Sequence, residues 1–243
     1  MNLSIIVPSI RIEKWPALIE SIKKACKNHS YEIVFVGPKH NDCMYDHENI
    51  KFVRDFGHPN RCQQIGILMS EGNIVTWGSD DGLYSEDSLD RCLKLMIEND
   101  LDYLSTGYTE AGNPLSSNSI RGCYVSGRHV KPSWYIFNVG FVKRTIIEYY
   151  GFDTNFEVTC IGHADLACRI QNLSSNGAFI NENVLHCEHM EGSSGDHAPI
   201  FEAQTYRDGA LFYNKFNEEN FQPIKWNEWK NNSETVWSRR FKR

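Results

Sequence analysis

The sequence predicts an α/β fold, a mostly parallel sheet flanked by helices in a single domain. Three observations predict it. Short apolar runs at residues 3–7, 31–36, 50–54 and 74–77 alternate with stretches of helical period over the first hundred residues. The run at 3–7 is almost continuously apolar, as a strand covered on both faces should be. At 243 residues and 41% hydrophobic, the chain can bury one sizeable core.

Taken in order, residues 3–7 open the sheet. Trp15, Leu18, Ile19, Ile22 and Cys26 follow at helical spacing, with Lys and Glu between them. A second strand at 31–36 ends at Gly37-Pro38, and a third spans 50–54. Residues 60–70 read as a helix with Ile65, Leu68 and Met69 facing inward. Strand 74–77 precedes a helix over 85–98 that carries Leu89, Cys92, Leu93 and Met96 on one face. Strand 103–106 leads into residues 107–134, rich in Ser, Gly, Asn and Pro, which read as a substrate-binding flap. Strand character resumes at 136–142, a short helix at 145–150, a turn at 151–156, a helix at 165–173 and a strand at 179–186. A helix with aromatic anchors is expected over 201–217. Residues 1–217 then form the domain, and 218–243 a basic tail containing tryptophans.

Composition excludes several classes. A net charge of -6 argues against a general nucleic-acid binder. No apolar run is long enough to span a bilayer, and the first eight residues are a strand rather than a signal peptide. Eight cysteines without a CxxC pair read as reduced thiols of a cytoplasmic protein, with no zinc site. In the tail, Trp226, Trp229 and Trp237 lie among Lys230, Arg239, Arg240, Lys242 and Arg243. That pattern suits a peripheral membrane contact or, equally, tryptophans packed on the core.

The chemistry concentrates at the end of strand 74–77, where Gly78-Ser79-Asp80-Asp81-Gly82 follows. Open α/β sheets place ligands at the carboxyl edge of their strands. Adjacent carboxylates repel, so a cation is expected between or beside them. Hard oxygen ligands suit Mg²⁺ or Mn²⁺, which bind substrate phosphates in turn. The plainer alternative is a solvated turn in which Asp80 caps the next helix.

The order of the pieces from about residue 3 to 195 resembles the GT-A (Rossmann-like) glycosyltransferases of glycosyltransferase family 2. SIIVPS is similar to the family's first strand, and GHPNRCQQIGILMSEGNIV to its glycine-led helix and following strand. WGSDD stands in the place of the DxD motif. GFD at 151–153 and GHADLACR at 162–169 resemble the acceptor-side elements, and HMEGSS at 189–194 the later His-x-x-Gly-Ser element. The resemblance implies inverting, metal-dependent transfer from a nucleotide-sugar, a UDP-sugar first, to a glycan or lipid-linked hydroxyl. It puts the metal, Mn²⁺ or Mg²⁺, on Asp80 and His189, and the donor on Pro8, Ser9, Arg61, Ser79 and Asp81. It puts the catalytic base at His163, with Asp165 as partner or substitute.

The chain departs from the family at three places. Gly78 replaces the first DxD aspartate, Gly37-Pro38-Lys39 the uracil-recognising aspartate, and His163 the catalytic aspartate. These departures keep open a catalytically silent domain that binds a nucleotide-sugar or glycan. A nucleotidyltransferase ranks last, because Pro8-Ser9-Ile10-Arg11 supplies no glycine-rich phosphate loop. Plainer roles stand beside the catalytic ones: Asp165 as a helix N-cap, His163 as a surface loop residue, His186 or His189 facing solvent, and Arg61 solvated.

Overall fold

The structure is a computed structural model and describes residues 1–41, 48–115, 137–188, 207–209 and 211–212. His189, the helix expected over 201–217 apart from a few residues, and the tail at 218–243 lie outside the described residues. So does most of the expected flap. In chain order the elements are β1 (Leu3–Pro8), a 3-10 turn (Ile12–Lys14), α1 (Trp15–Ala25), β2 (Tyr31–Gly37), β3 (Ile50–Arg54) and α2 (Pro59–Met69). Then come β4 (Ile74–Trp77), β5 (Gly82–Tyr84), α3 (Ser88–Glu98), β6 (Tyr103–Glu110) and β7 (Asn113–Leu115). The remainder is β8 (Val139–Lys143), α4 (Arg144–Tyr150), α5 (Thr159–Leu173) and β9 (Gly177–Cys187).

One sheet runs in the order β3-β2-β1-β4-β8-β6-β9-β5, with β7 beside β6. The first four strands pair in parallel. β8 is antiparallel to both β4 and β6, and β5 and β7 are antiparallel to their neighbours, whereas β6 and β9 are parallel. The sheet is therefore mixed, not mostly parallel as the sequence predicts. Parallel neighbours need a crossover of a dozen or more residues. Only Ala111 and Gly112 separate β6 from its neighbour β7. Both of those turn residues have positive φ, 50° and 76°, which suits a two-residue hairpin.

The short β4–β5 link also bends the sheet. In a flat sheet β5 would lie four strand spacings from β4, roughly 19 Å. Five extended residue steps reach only about 17 Å, so the sheet curls into a half-barrel. Viewed along the chain, β1, β2, β3, β4, β6 and β9 still point the same way. Their carboxyl ends gather on one side.

Alternation along β1 feeds two cores. Leu3, Ile5 and Val7 pack with Trp15, Leu18 and Ile22 of α1 and Leu89, Leu93 and Met96 of α3. Ile6 faces the other way, against Cys62, Ile65 and Ile67 of α2, Ile147 of α4 and Leu166 and Ile170 of α5. α2 comes close because residue 66 is glycine: a Cβ there would lie 2.2 Å from Ile6 Cγ2.

Two expectations for the helices change. Leu68 and Met69 are 41% and 50% exposed, while Asn60, Gln63 and Gln64 of α2 are buried. The helix is covered on its polar side by α5 and the turn before it. Asn60 Nδ2 donates to Asp153 O at 2.6 Å, and Gln64 Oε1 accepts from Phe152 N at 2.6 Å. α5 begins six residues earlier than its apolar pattern indicates. The chain just before it is held from outside, since Asp208 Oδ2 accepts from Glu157 N at 2.8 Å and Val158 N at 2.7 Å. Asp165 consequently sits in mid-helix and is not an N-cap. No described helix is long and apolar enough to cross a membrane.

Candidate functional site

The gathered carboxyl ends enclose a cavity of about 470 Å³. Pro8 to Arg11 extend from β1, Gly37 and Pro38 from β2, and Gly78 to Asp81 from β4. Tyr108 and Glu110 come from the end of β6, Leu185 and Cys187 from β9, and Val158 to Cys160 and His163 from α5. This is the ligand edge that strand polarity dictates.

The expected cation beside Asp80 and Asp81 is Arg11. Its guanidinium lies 2.5 Å from Asp80 Oδ1 and 3.5 Å from Asp81 Oδ2. Asp80 Oδ2 accepts three further bonds: from Ile10 N at 2.8 Å, Arg11 N at 2.7 Å and Ser9 Oγ at 3.1 Å. Ser9 Oγ in turn accepts from Trp15 Nε1 at 2.6 Å, and Trp15 stacks on Phe35 with centroids 3.9 Å apart. Asp80 thus clamps the loop after β1 onto the end of β4, across about seventy residues of chain. Sequence reading missed Arg11; the cation required by the paired carboxylates was the available signal.

The two aspartates have unequal capacity for a further ligand. Both oxygens of Asp80 are taken by donors, and the side chain is 3% exposed. Asp81 accepts one short bond from Ser79 Oγ, and its other oxygen is only loosely engaged by Arg11. Among the described residues, no group of three or more His, Cys, Asp or Glu forms a ready cage for a metal. A divalent ion needs no such cage where one or two carboxylates and substrate phosphates complete its shell. Of the two, Asp81 has the less engaged oxygen for such a role, while both oxygens of Asp80 already accept hydrogen bonds.

The remaining predicted residues separate. Pro8, Ser9 and Ser79 line the cavity with Asp80, Asp81 and His163. Arg61 does not line it; its guanidinium is held by Asp55 at 3.0–3.3 Å. His163 stacks on Trp77, and its Nε2 lies 2.8 Å from Gln63 Nε2. Burial lowers its pKa to about 3, so the ring is neutral and a weak proton acceptor. Asp165 lies two residues on, away from the cavity. It is fully buried and paired with Arg169 at 2.8 Å, which also donates to Tyr150 O and Gly151 O. The structure brings His163 to the cavity wall and leaves Asp165 to fix α5 against the preceding turn. His186 faces the opposite side of β9, between Thr109 Oγ1 at 2.9 Å and Ser85 Oγ at 2.7 Å.

Tyr108 and Glu110 are cavity residues that sequence reading missed. They alternate with Gly107 and Thr109 along a strand longer than expected, so residues two apart share the cavity face. The signal was the continued alternation past residue 106, read there as the start of a flap.

No family model and no curated protein matches this chain. Solved structures do. TarS of S. aureus, residues 1–349 in complex with UDP-GlcNAc, superposes with a TM-score of 0.60 at 17% identity, covering 90% of this chain and 68% of that one. A longer TarS structure gives 0.58 at 14% identity, over 77% of this chain and 37% of that one. The mannosyltransferase PcManGT of Pyrobaculum calidifontis, in complex with GDP-Man and Mn²⁺, gives 0.60 at 14% identity, over 92% and 66%. The chain spans about a third of the longer TarS structure and about two thirds of the others. At these identities the likeness establishes the fold alone: a single α/β domain with a mixed sheet, built as in TarS and PcManGT.

Proposed function

We propose that the protein is an inverting, metal-dependent glycosyltransferase. It takes a nucleotide-sugar, first of all a UDP-sugar, and glycosylates a hydroxyl of a glycan or lipid-linked acceptor. The observation that carries the reading is the clamp of Asp80 on Ser9, Ile10 and Arg11. It fixes the β1 loop and the Ser79–Asp81 turn as two walls of one cavity at the parallel strand ends.

In this reading the nucleoside lies over Pro8, Ser9 and Gly37-Pro38, and the diphosphate beside Arg11 and Asp81. Mn²⁺ or Mg²⁺ would be held by Asp81 beside Asp80, with His189, two residues past β9 in sequence, as a further ligand; when bound it would neutralise charge on the leaving diphosphate. Asp80 orients Ser9, Ile10 and Arg11 around that place. Arg11, partly neutralised by two carboxylates, positions the diphosphate more than it attracts it. His163, neutral and stacked on Trp77, forms the cavity floor with Gln63.

The silent alternative is favoured by one observation, the weak basicity of His163 at the place of the family's catalytic aspartate. Calorimetric titration with UDP and GDP, with and without Mn²⁺, tests the binding half of the proposal. The parent is expected to bind one of them at least tenfold tighter with Mn²⁺. Asp81→Asn should lose that increment and keep its fold. No binding of either nucleotide under any condition rules the proposal out, and binding without donor turnover selects the silent domain.

A further inference from the structure

We propose that Glu110 is the general base of the transfer, an inference that rests on the glycosyltransferase reading above. Among the described residues, three carboxylates line the cavity: Asp80, Asp81 and Glu110. Asp80 and Asp81 carry Arg11 between them and belong to the diphosphate end. Glu110 is the last residue of β6, at the same ligand edge but on a different strand.

Its distance from the diphosphate end follows from strand register. Gly82 is paired with Cys187, and Cys187 with Glu110. Gly82 and Glu110 therefore lie two strand spacings apart, roughly 9.5 Å, with Cys187 between. A sugar ring whose diphosphate sits at Asp81 has room to present its opposite face toward Glu110.

Tyr108 stands beside Glu110 on the cavity wall, and Asn138 Nδ2 donates to the Tyr108 hydroxyl at 3.4 Å. The hairpin turn at Ala111-Gly112 pairs Glu110 with Asn113 and fixes it as the final strand position. His163 has no comparable standing, since its Nε2 is engaged by Gln63 and burial opposes its protonation.

The step balances as follows. The Glu110 carboxylate takes the proton of the acceptor hydroxyl while the acceptor oxygen bonds the anomeric carbon. The anomeric C–O bond to the diphosphate breaks, and its electron pair leaves with the nucleoside diphosphate. The proton then passes from Glu110 to solvent.

The test uses water as acceptor, measuring hydrolysis of UDP-GlcNAc and GDP-mannose with Mn²⁺, with ellipticity checked for each variant. Glu110→Gln should lower turnover by roughly 10²–10⁴-fold. Nucleoside diphosphate affinity and unfolding midpoint should stay at parent values. Glu110→Asp should restore part of the rate. A Glu110→Gln protein of parent turnover, or a Glu110→Asp protein no more active than Glu110→Gln, overturns the assignment. A parent that binds nucleotide but hydrolyses neither donor removes the transferase reading and Glu110's role with it.

Discussion

At the residue scale, the paired aspartates illustrate what local chemistry specifies and what it leaves open. Two adjacent carboxylates at a strand end require a cation, and that much was legible in Gly78-Ser79-Asp80-Asp81. Which cation was not, because Arg11 lies about seventy residues earlier and is brought there only by the β1–β4 pairing. The division of labour between Asp80 and Asp81 was equally hidden. It depends on two backbone amides of a loop, which carry no side-chain signature. Removing Asp80 leaves Ile10 N, Arg11 N and Ser9 Oγ without their acceptor and strips Arg11 of its closest partner. Asp80→Ala is therefore expected to cost about 2–4 kcal/mol, measured by urea unfolding. A loss below about 0.5 kcal/mol would show that the clamp contributes nothing. Arg11→Met should make the thermal midpoint more responsive to Mn²⁺ than in the parent, since the carboxylates then lack their internal cation.

At the element scale, the helices were recognisable by period but their buried faces were not. α2 was read from Ile65, Leu68 and Met69, yet it turns Asn60, Gln63 and Gln64 inward because α5 and the turn at Gly151 to Asp153 supply polar partners. α5 was truncated in sequence because Thr159 to Ala164 carry little apolar signal and the two residues before them are held by the distant Asp208. The same junction sets a pH dependence. His58 caps α2, with Nδ1 accepting from Arg61 N at 3.1 Å, and His163 stands on α5; burial lowers both pKa values to about 3. The unfolded chain takes up these protons near pH 6.5, whereas the folded protein resists them until about pH 3. Their contribution is thus complete above pH 6.5 and is lost as pH falls from there toward 3. Stability by urea unfolding should drop by a few kcal/mol between pH 7 and pH 4. His163→Gln should flatten part of that fall; an unchanged slope would place His163 in solvent rather than in the core.

At the scale of the whole molecule, the α/β class and the ligand edge were legible, and the sheet's mixture and curl were not. Strands of three residues, β5 and β7, lie below the reach of periodicity. The antiparallel place of β8 follows from tertiary pairing rather than from its own sequence. That pairing matters for function. It returns β6 and β9 to the direction of β1 and β4, so Glu110 and Cys187 face the cavity opposite Asp81. A flat parallel sheet would leave them at a remote edge. The central claim is that this cavity holds a nucleotide-sugar for direct displacement at the anomeric carbon. Proton NMR of the first sugar released from an α-linked donor, UDP-GlcNAc or GDP-mannose, tests it most directly. The account predicts that the β-anomer appears first and then equilibrates. Initial release of the α-anomer, or no release from a protein that binds the nucleotide, would contradict it.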